Sequence, residues 1–510
     1  MKSTRIRDAL SGALAAALAL GISELIAGLI PSAPSLVEGL GTWVIDNVPP
    51  AVKEWAISIF GTADKLVLLI SISVVTIVIG AVVGVVARSR FWIAALVFSG
   101  FGVFAVLAAM RDPQVDVVGA VVPAVVAVIV GLATLRMLYS LSEEPVESDT
   151  SKRRFIVGAG AVLGVAALSA GFGRMLVESA KRAVAGRSEV ILPTAAEMLP
   201  PVPAAASFDV AGITPIIVPN ADFYRIDTAL SIPRIDLQEW TLSVTGMVDR
   251  PYTIGYAELL DMRMVERDVT LSCVSNRVGG GLVGNARWQG VPLKEILDRA
   301  GVTEGAEQLV GRSVDEFTVG FPVEAVYDGR EALVAVAMND EPLPFEHGFP
   351  ARLVVAGLYG YVSATKWLSQ IELTTWDGFD AYWVPRGWAK EAPIKTQSRI
   401  DTPTASDEIY PGANVVAGVA WAPNRGISRV EVQLGEDAEW VEADLSAPLS
   451  EDSWVQWKVD WDIPEPGPYV VTCRATDGDG VTQTGEIAPP APDGATGWHS
   501  ARLIVADREA

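Results

Sequence analysis

Five long apolar stretches fill most of the first 180 residues: Ala9–Ile30, Leu66–Ala87, Phe91–Met110, Val115–Leu138 and Phe155–Leu176. A helix of about 20 apolar residues matches the hydrocarbon thickness of a bilayer, and it satisfies its own backbone there. Residues 1–180 therefore read as a five-helix transmembrane region. Its loops set an orientation through their Lys/Arg bias. Lys2, Arg5 and Arg7 precede the first span, and Arg88 and Arg90 separate the second and third. Arg136, Lys152, Arg153 and Arg154 lie between the fourth and fifth, while the other loops mix both signs. The N-terminus is thus expected in the cytoplasm and everything after about residue 180 outside, with the lipid bilayer as a partner.

Two details of this region carry chemistry. Glu24 is the one acid well inside an apolar run, near the outer end of its helix, where an interfacial role competes with a proton-handling one. Gly158, Gly160 and Gly164 nearly mimic a dinucleotide fingerprint, but no strand precedes them, so close helix packing is the expectation. The segment "SKRRFIV" resembles a twin-arginine export signal with Lys152 in the first arginine's place, and it also serves as a positive-inside anchor.

The chain combines a mean hydropathy of +0.34 with a net charge of −22, so its apolar and acidic residues must be segregated. Residues 181–208, rich in Pro and Ala, read as an extended linker. Residues 209–398 mix short strands ("WTLSVTGMV", "ARLVVAGLYG") with short helices ("YAELLDM", "PLKEILDRAG"), an α+β pattern. Residues 405–506 show strands only, about 8–12 residues apart and separated by Pro/Gly/Asp turns, which predicts a β-sandwich of immunoglobulin-like size. The fold class expected is multi-domain: transmembrane helices, an α+β domain and a C-terminal sandwich.

Cysteine and histidine usage narrows the chemistry. The two histidines, His347 and His499, lie outside the spans, and the cysteines, Cys273 and Cys473, fall in separate domains. Bis-histidine haem, Rieske centres, H-E-x-x-H zinc sites and Cys₄ clusters are excluded, so no haem or Fe–S centre is expected within this chain. No G-x-S-x-G elbow is present. Cys473 alternates inward on a strand and reads as a small core residue. Cys273, in "TLSCVSNRVGGG", has three readings. It could be a buried hydrophobe, a nucleophile without a neighbouring base, or a soft metal ligand whose thiolate Arg277 favours. Gly279, Gly280 and Gly281 would let the backbone approach a bulky ligand.

Four segments across residues 209–506 resemble the sulfite oxidase family of molybdopterin-dependent oxidoreductases, in its membrane-anchored bacterial form. "TLSCVSNR" resembles T-L-x-C-x-x-N-R, whose cysteine binds molybdenum beside the pterin dithiolene. "HGFPARLVVAGLYGYVSATKWL" resembles the family's H-G-F-P-x-R…K-W-L segment, with Ala356 where proline is usual. "FYRID" resembles F-x-V-R near the cofactor, and "GVAWAPNRGISRVEVQLGEDAEW" with "GWHSARLIV" resembles the dimerisation-type domain.

The resemblance implies a molybdenum–molybdopterin cofactor with Cys273 as metal ligand. It implies His347, Arg352 and Lys366 as phosphate-binding groups, Ser313 where relatives often have an aspartate, and Asn220, Tyr224 and Arg225 bordering the metal. Asn276 and Arg277 are expected either to line the substrate pocket with Arg225 or to pin the turn after Cys273. Val319 or Phe321 stands where a tyrosine is expected in sulfite-oxidising relatives. Both sulfite oxidation and S- or N-oxide reduction therefore stay open as the oxygen-atom transfer. The partners implied are a small-molecule oxygen-atom donor or acceptor, a separate cytochrome or haem membrane protein, and a second copy of the chain; nucleic acid is not expected. The competing class is a non-catalytic membrane-tethered scaffold that keeps the fold.

Overall fold

The computed structural model describes residues 2–507 except 31–32, 50–51, 53–54, 57–58, 61–62, 113–114, 143–148, 185, 231 and 234. The side chains of residues 2–4, 46, 149–152, 178 and 180–184 are likewise outside the description, among them Lys2, Lys152, Lys181 and Arg182. Two compact units emerge: Met1–Gly186 with Thr228–Arg234, and Arg187–Asp227 with Ile235–Ala510.

The first unit is helical. Its long helices are α1 (Lys2–Leu29), α3 (Asp64–Val86), α4 (Phe91–Ala109), α5 (Val117–Leu141) and α6 (Asp149–Val184), with a shorter α2 (Leu36–Asn47) between the first two. Five of these contain stretches long and apolar enough to cross a membrane. Small residues let the backbones approach. A Cβ on Gly12 would lie 2.0 Å from Gly80 O and 2.7 Å from Gly84 Cα, and one on Gly173 would lie 2.4 Å from Glu24 O. The packing expected of Gly160 and Gly164 is not found, since both face open space; Gly158 lies against Leu141. The buried Glu24 carboxylate accepts a hydrogen bond from Ser35 Oγ at 2.6 Å, which ties α1 to the start of α2. Leu230, from the inserted segment Thr228–Arg234, lies against Gly41 of α2.

The second unit opens with chain laid on its surface. Arg187 donates to Pro342 O and Leu343 O, and Glu197 forms a parallel bridge with Val265. Two mixed α/β layers follow. One sheet orders Tyr252–Gly255, Thr241–Gly246, Leu368–Thr374, Gln308–Ser313 and Thr318–Pro322, with one parallel pair between Thr241–Gly246 and Leu368–Thr374. The other is antiparallel and runs Val265–Ser272, Val283–Pro292, Ala332–Met338 and Glu341–Pro342, with Arg352–Val355 also on Ala332–Met338. Ala332–Met338 is buried along its whole length, which explains its uninterrupted apolar sequence.

The C-terminal part consists of two four-stranded antiparallel sheets around one core. Val416, Trp457 and Trp461 from one sheet meet Val430, Val432, Val471 and Cys473 from the other. Cys473 has no exposed surface, as the alternation of its strand predicts.

Candidate active site

Cys273 directly follows the strand Val265–Ser272, whose residues are buried on both faces up to the thiol. Its N–H donates to Leu282 O at 2.9 Å, and its carbonyl accepts from Asn276 N at 3.0 Å. Asn276 Oδ1 accepts from Leu282 N at 2.9 Å, so the Asn276 side chain pins the turn. Gly279 sits at φ +74°, and a Cβ there would lie 2.1 Å from the His499 ring. A Cβ on Gly280 would lie 2.5 Å from Asn276 Oδ1, and Gly281 alone of the three faces open space. The glycine run thus mainly admits protein neighbours; the bulky ligand expected beside it has that freedom only at Gly281. Arg277 is exposed and forms no ion pair among the described residues.

Burial pushes the Cys273 thiol up, opposed by hydrogen bonds from Ser275 and by the nearby Lys366 ammonium. Burial, with a smaller contribution from Cys273, holds both Tyr224 and Tyr359 above their ordinary value. The Tyr224 hydroxyl is held well above its ordinary value by burial, and its ring stacks on Phe223 at 5.2 Å.

Cations gather beside this group. His347 is 4% exposed and donates from Nε2 to Asn220 O at 3.0 Å. Asn220 is itself fixed, donating to Met338 O and accepting from Asn339 Nδ2. Burial, with Arg352, Lys366 and Arg225 nearby, takes His347 down to about 4. Lys366 pairs with Asp227 at 3.0 Å, yet burial takes it down to about 8. Arg225 pairs with the same Asp227 oxygen at 3.0 Å and is itself exposed. Arg352 is 4% exposed, donates to His347 O at 3.0 Å and stands 5.0 Å from the Trp288 ring centroid. It has no carboxylate partner among the described residues, and burial takes it down to about 10.

Ser313 is buried at the turn after Gln308–Ser313, where its Oγ accepts from Asp315 N at 3.4 Å. Asp315, absent from the sequence reading, is held above the usual carboxylate range by burial and feels Asp227. Val319 and Phe321 are entirely buried on the strand Thr318–Pro322. Asp227 was also missed, although its place two residues after Arg225 was the available signal.

Of the four side chains here able to carry positive charge, Lys366 and Arg225 share the acid Asp227, and Arg352 has none among the described residues. A buried guanidinium without an acid is costly unless an anion meets it. Thr365 adds a buried hydroxyl Oγ1 with no hydrogen-bond partner among the described residues, next in sequence to Lys366. This donor set fits a phosphate-bearing pterin, and the adjacent soft thiol fits a metal held beside it.

Residues 229–383 match the family described as "Oxidoreductase molybdopterin binding domain". The chain is 26% identical to the mitochondrial sulfite oxidase of Rattus norvegicus over 320 residues, 54% of this chain and 58% of that protein. It is 26% identical to the sulfite oxidase of Gallus gallus over 324 residues, 54% of this chain and 69% of that protein. An NADH nitrate reductase of Brassica napus is 33% identical over 180 residues, 30% of this chain and 20% of the reductase. Among solved structures, the sulfane dehydrogenase SoxCD of Paracoccus pantotrophus is similar with a TM-score of 0.49 and 23% identity. That similarity covers 57% of this chain and 83% of that one. The matched segment contains Cys273, Ser313, His347, Arg352 and Lys366, and these likenesses support a molybdopterin oxidoreductase of the sulfite oxidase type.

Proposed function

We propose that this protein is a membrane-anchored, extracytoplasmic molybdenum enzyme that transfers an oxygen atom to or from a small sulfur- or nitrogen-containing substrate. One observation carries the reading: a buried thiol, Cys273, in the field of Lys366, around which the guanidinium groups of Arg352 and Arg225 and the neutral His347 ring gather. Cys273 would hold the metal, and His347, Arg352 and Lys366 would hold the pterin phosphate, with Ser313 and Asn220 bordering it. Bound there, the cofactor supplies two-electron oxygen-atom chemistry at molybdenum.

The protein's own groups orient and charge the site. Arg352 presents donors pre-fixed by His347 O and the Trp288 face, which suits bidentate contact with phosphate. Lys366 favours the thiolate form of Cys273, against a burial that still holds the thiol up. Arg225 and Arg277, both exposed, would meet an anionic or strongly dipolar substrate. Tyr224 stays protonated and offers a hydroxyl donor beside the thiol.

The domain limits proposed are 1–180 for the membrane region, 181–208 for the linker, 209–398 for the cofactor domain and 405–506 for an immunoglobulin-like dimerisation domain. The basic loops at Arg88, Arg90, Arg153 and Arg154 support a cytoplasmic N-terminus. A separate cytochrome or haem membrane protein would take or supply single electrons. Sulfite oxidation and S- or N-oxide reduction are distinguished by assaying purified protein with sulfite and ferricyanide, then with dimethyl sulfoxide and reduced viologen. Molybdenum near one per chain, with turnover in one of the two assays, is the expected result. A metal-free protein would overturn the reading.

A further inference from the structure

The turn after Cys273 is gripped from outside its own sheet, by the first strand of the C-terminal part. Arg399, on the strand Gln397–Thr402, donates from Nη1 to Gly280 O at 2.9 Å and from Nη2 to Thr214 Oγ1 at 2.8 Å. Its Nε donates to Asp401 Oδ1 at 2.6 Å, while Asp401 Oδ2 accepts from Thr214 N at 3.0 Å. The two side chains are only 11% and 5% exposed. Between them, Ile400 N donates to His499 Nδ1 at 3.0 Å, and the His499 ring is the one pressed on Gly279.

One guanidinium thus bonds two separate segments. The first is the turn bearing Asn276 and Arg277. The second is the run from Thr214 that leads to Asn220, Tyr224 and Arg225, itself held where Val218 N donates to Asn285 O and Asn285 Nδ2 donates to Ile216 O. Arg399 is therefore one direct tie between the loop that carries Arg277 and the start of the run that leads to Arg225, beside those made by Asn285. The three guanidinium nitrogens end on three different groups, a geometry that lysine cannot reproduce.

We propose that the Arg399–Asp401 pair is a positioning device that fixes the spacing of Arg225 and Arg277, and so sets which small oxyanion or oxide the site binds. The inference rests on the reading of Cys273 and its neighbours as the active site. Two cations on separate loops contact one small ligand together only when their separation is fixed beforehand.

The test uses full-length, cofactor-loaded protein in detergent, comparing wild type with Arg399→Met, Arg399→Lys and Thr214→Val. Amide hydrogen exchange is read at residues 212–218 and 276–282, with the strand Val455–Ile463 as internal control. In Arg399→Met, exchange at both segments is expected to rise about tenfold, the factor one hydrogen bond to a charged donor is worth, and the control strand is expected not to change. The KM for whichever of sulfite or dimethyl sulfoxide the wild type turns over is expected to rise about tenfold, with kcat within about twofold. Arg399→Lys is expected to recover part of the KM, and Thr214→Val to loosen only 212–218. Thr214→Val also keeps the test decisive if Arg399→Met does not fold. Unchanged exchange at both segments, or an unmoved KM in an active enzyme, overturns the positioning role. A wild type without molybdenum counts against the site reading alone, because the exchange measurement still decides whether Arg399 couples the two segments.

Discussion

Replacing His347 with glutamine isolates the cost of burying an imidazole among cations. His347 is 4% exposed, and burial, then Arg352, with Lys366 and Arg225 adding, moves it from 6.5 to about 4. Arg225 and Lys366 are both paired with Asp227, which moderates but does not reverse this field. The folded state resists protonation more than the unfolded chain does. Stability at pH 7 is therefore untouched; it is lost as pH falls below 6.5, and the loss is complete near pH 4. At about 1.36 kcal/mol per pH unit the full effect is about 3 kcal/mol, of which about 2.5 kcal/mol is reached by pH 4.5. For a folded unit of roughly 300 residues this is about 4 °C in Tm. The assay is a tryptophan-fluorescence melt of cofactor-free, full-length protein in detergent at pH 7.5 and 4.5. Glutamine can still donate to Asn220 O but cannot titrate. Wild type should lose about 4 °C more than His347→Gln between the two pH values, and cofactor loading should shrink that gap. Parallel losses in the two proteins would refute the reasoning.

Arg352→Met should leave cofactor-free stability within about 1 kcal/mol of wild type, since relief from burying a lone guanidinium offsets the lost hydrogen bonds; elemental analysis should show molybdenum down more than tenfold. Lys366, taken down to about 8 by burial, loses its charge above that pH. Cofactor uptake by empty protein should therefore weaken by up to about tenfold per pH unit above 8, and Lys366→Arg should flatten the dependence, read by cofactor titration at pH 7 and 9. Gly290→Ala would place a Cβ 2.3 Å from Val334 O and 2.6 Å from Ala335 Cα. Backbone cannot yield cheaply there, so a loss of about 3 kcal/mol is expected in thermal melts.

Hydropathy makes the long helices legible, because lipid-length apolar runs have few other structural solutions. The short α2, Leu36–Asn47, escapes that reading: its 12 residues fall below spanning length, and Gly39 and Gly41 weaken its helical signal. The α+β character of residues 209–398 follows from strand and helix patterns, whereas the pairing of Thr241–Gly246 with Leu368–Thr374 is a long-range contact that no local pattern encodes. The residue types at the site were readable from motif spacing around Cys273 and His347. Their charge balance was not, since Asp227 and Asp315 acquire meaning only once folding buries them beside Lys366 and Ser313. Arg399 and His499 were equally silent, lying more than 100 residues from the turn they hold.

The central claim is that Cys273 is the protein's ligand to molybdenum. X-ray absorption at the molybdenum edge, on full-length wild type and Cys273→Ser, tests it most directly. The account predicts molybdenum near one per chain in wild type, one fewer sulfur neighbour in the variant, and turnover reduced to background. An unchanged sulfur count around the metal in Cys273→Ser, or full turnover by that variant, would contradict it.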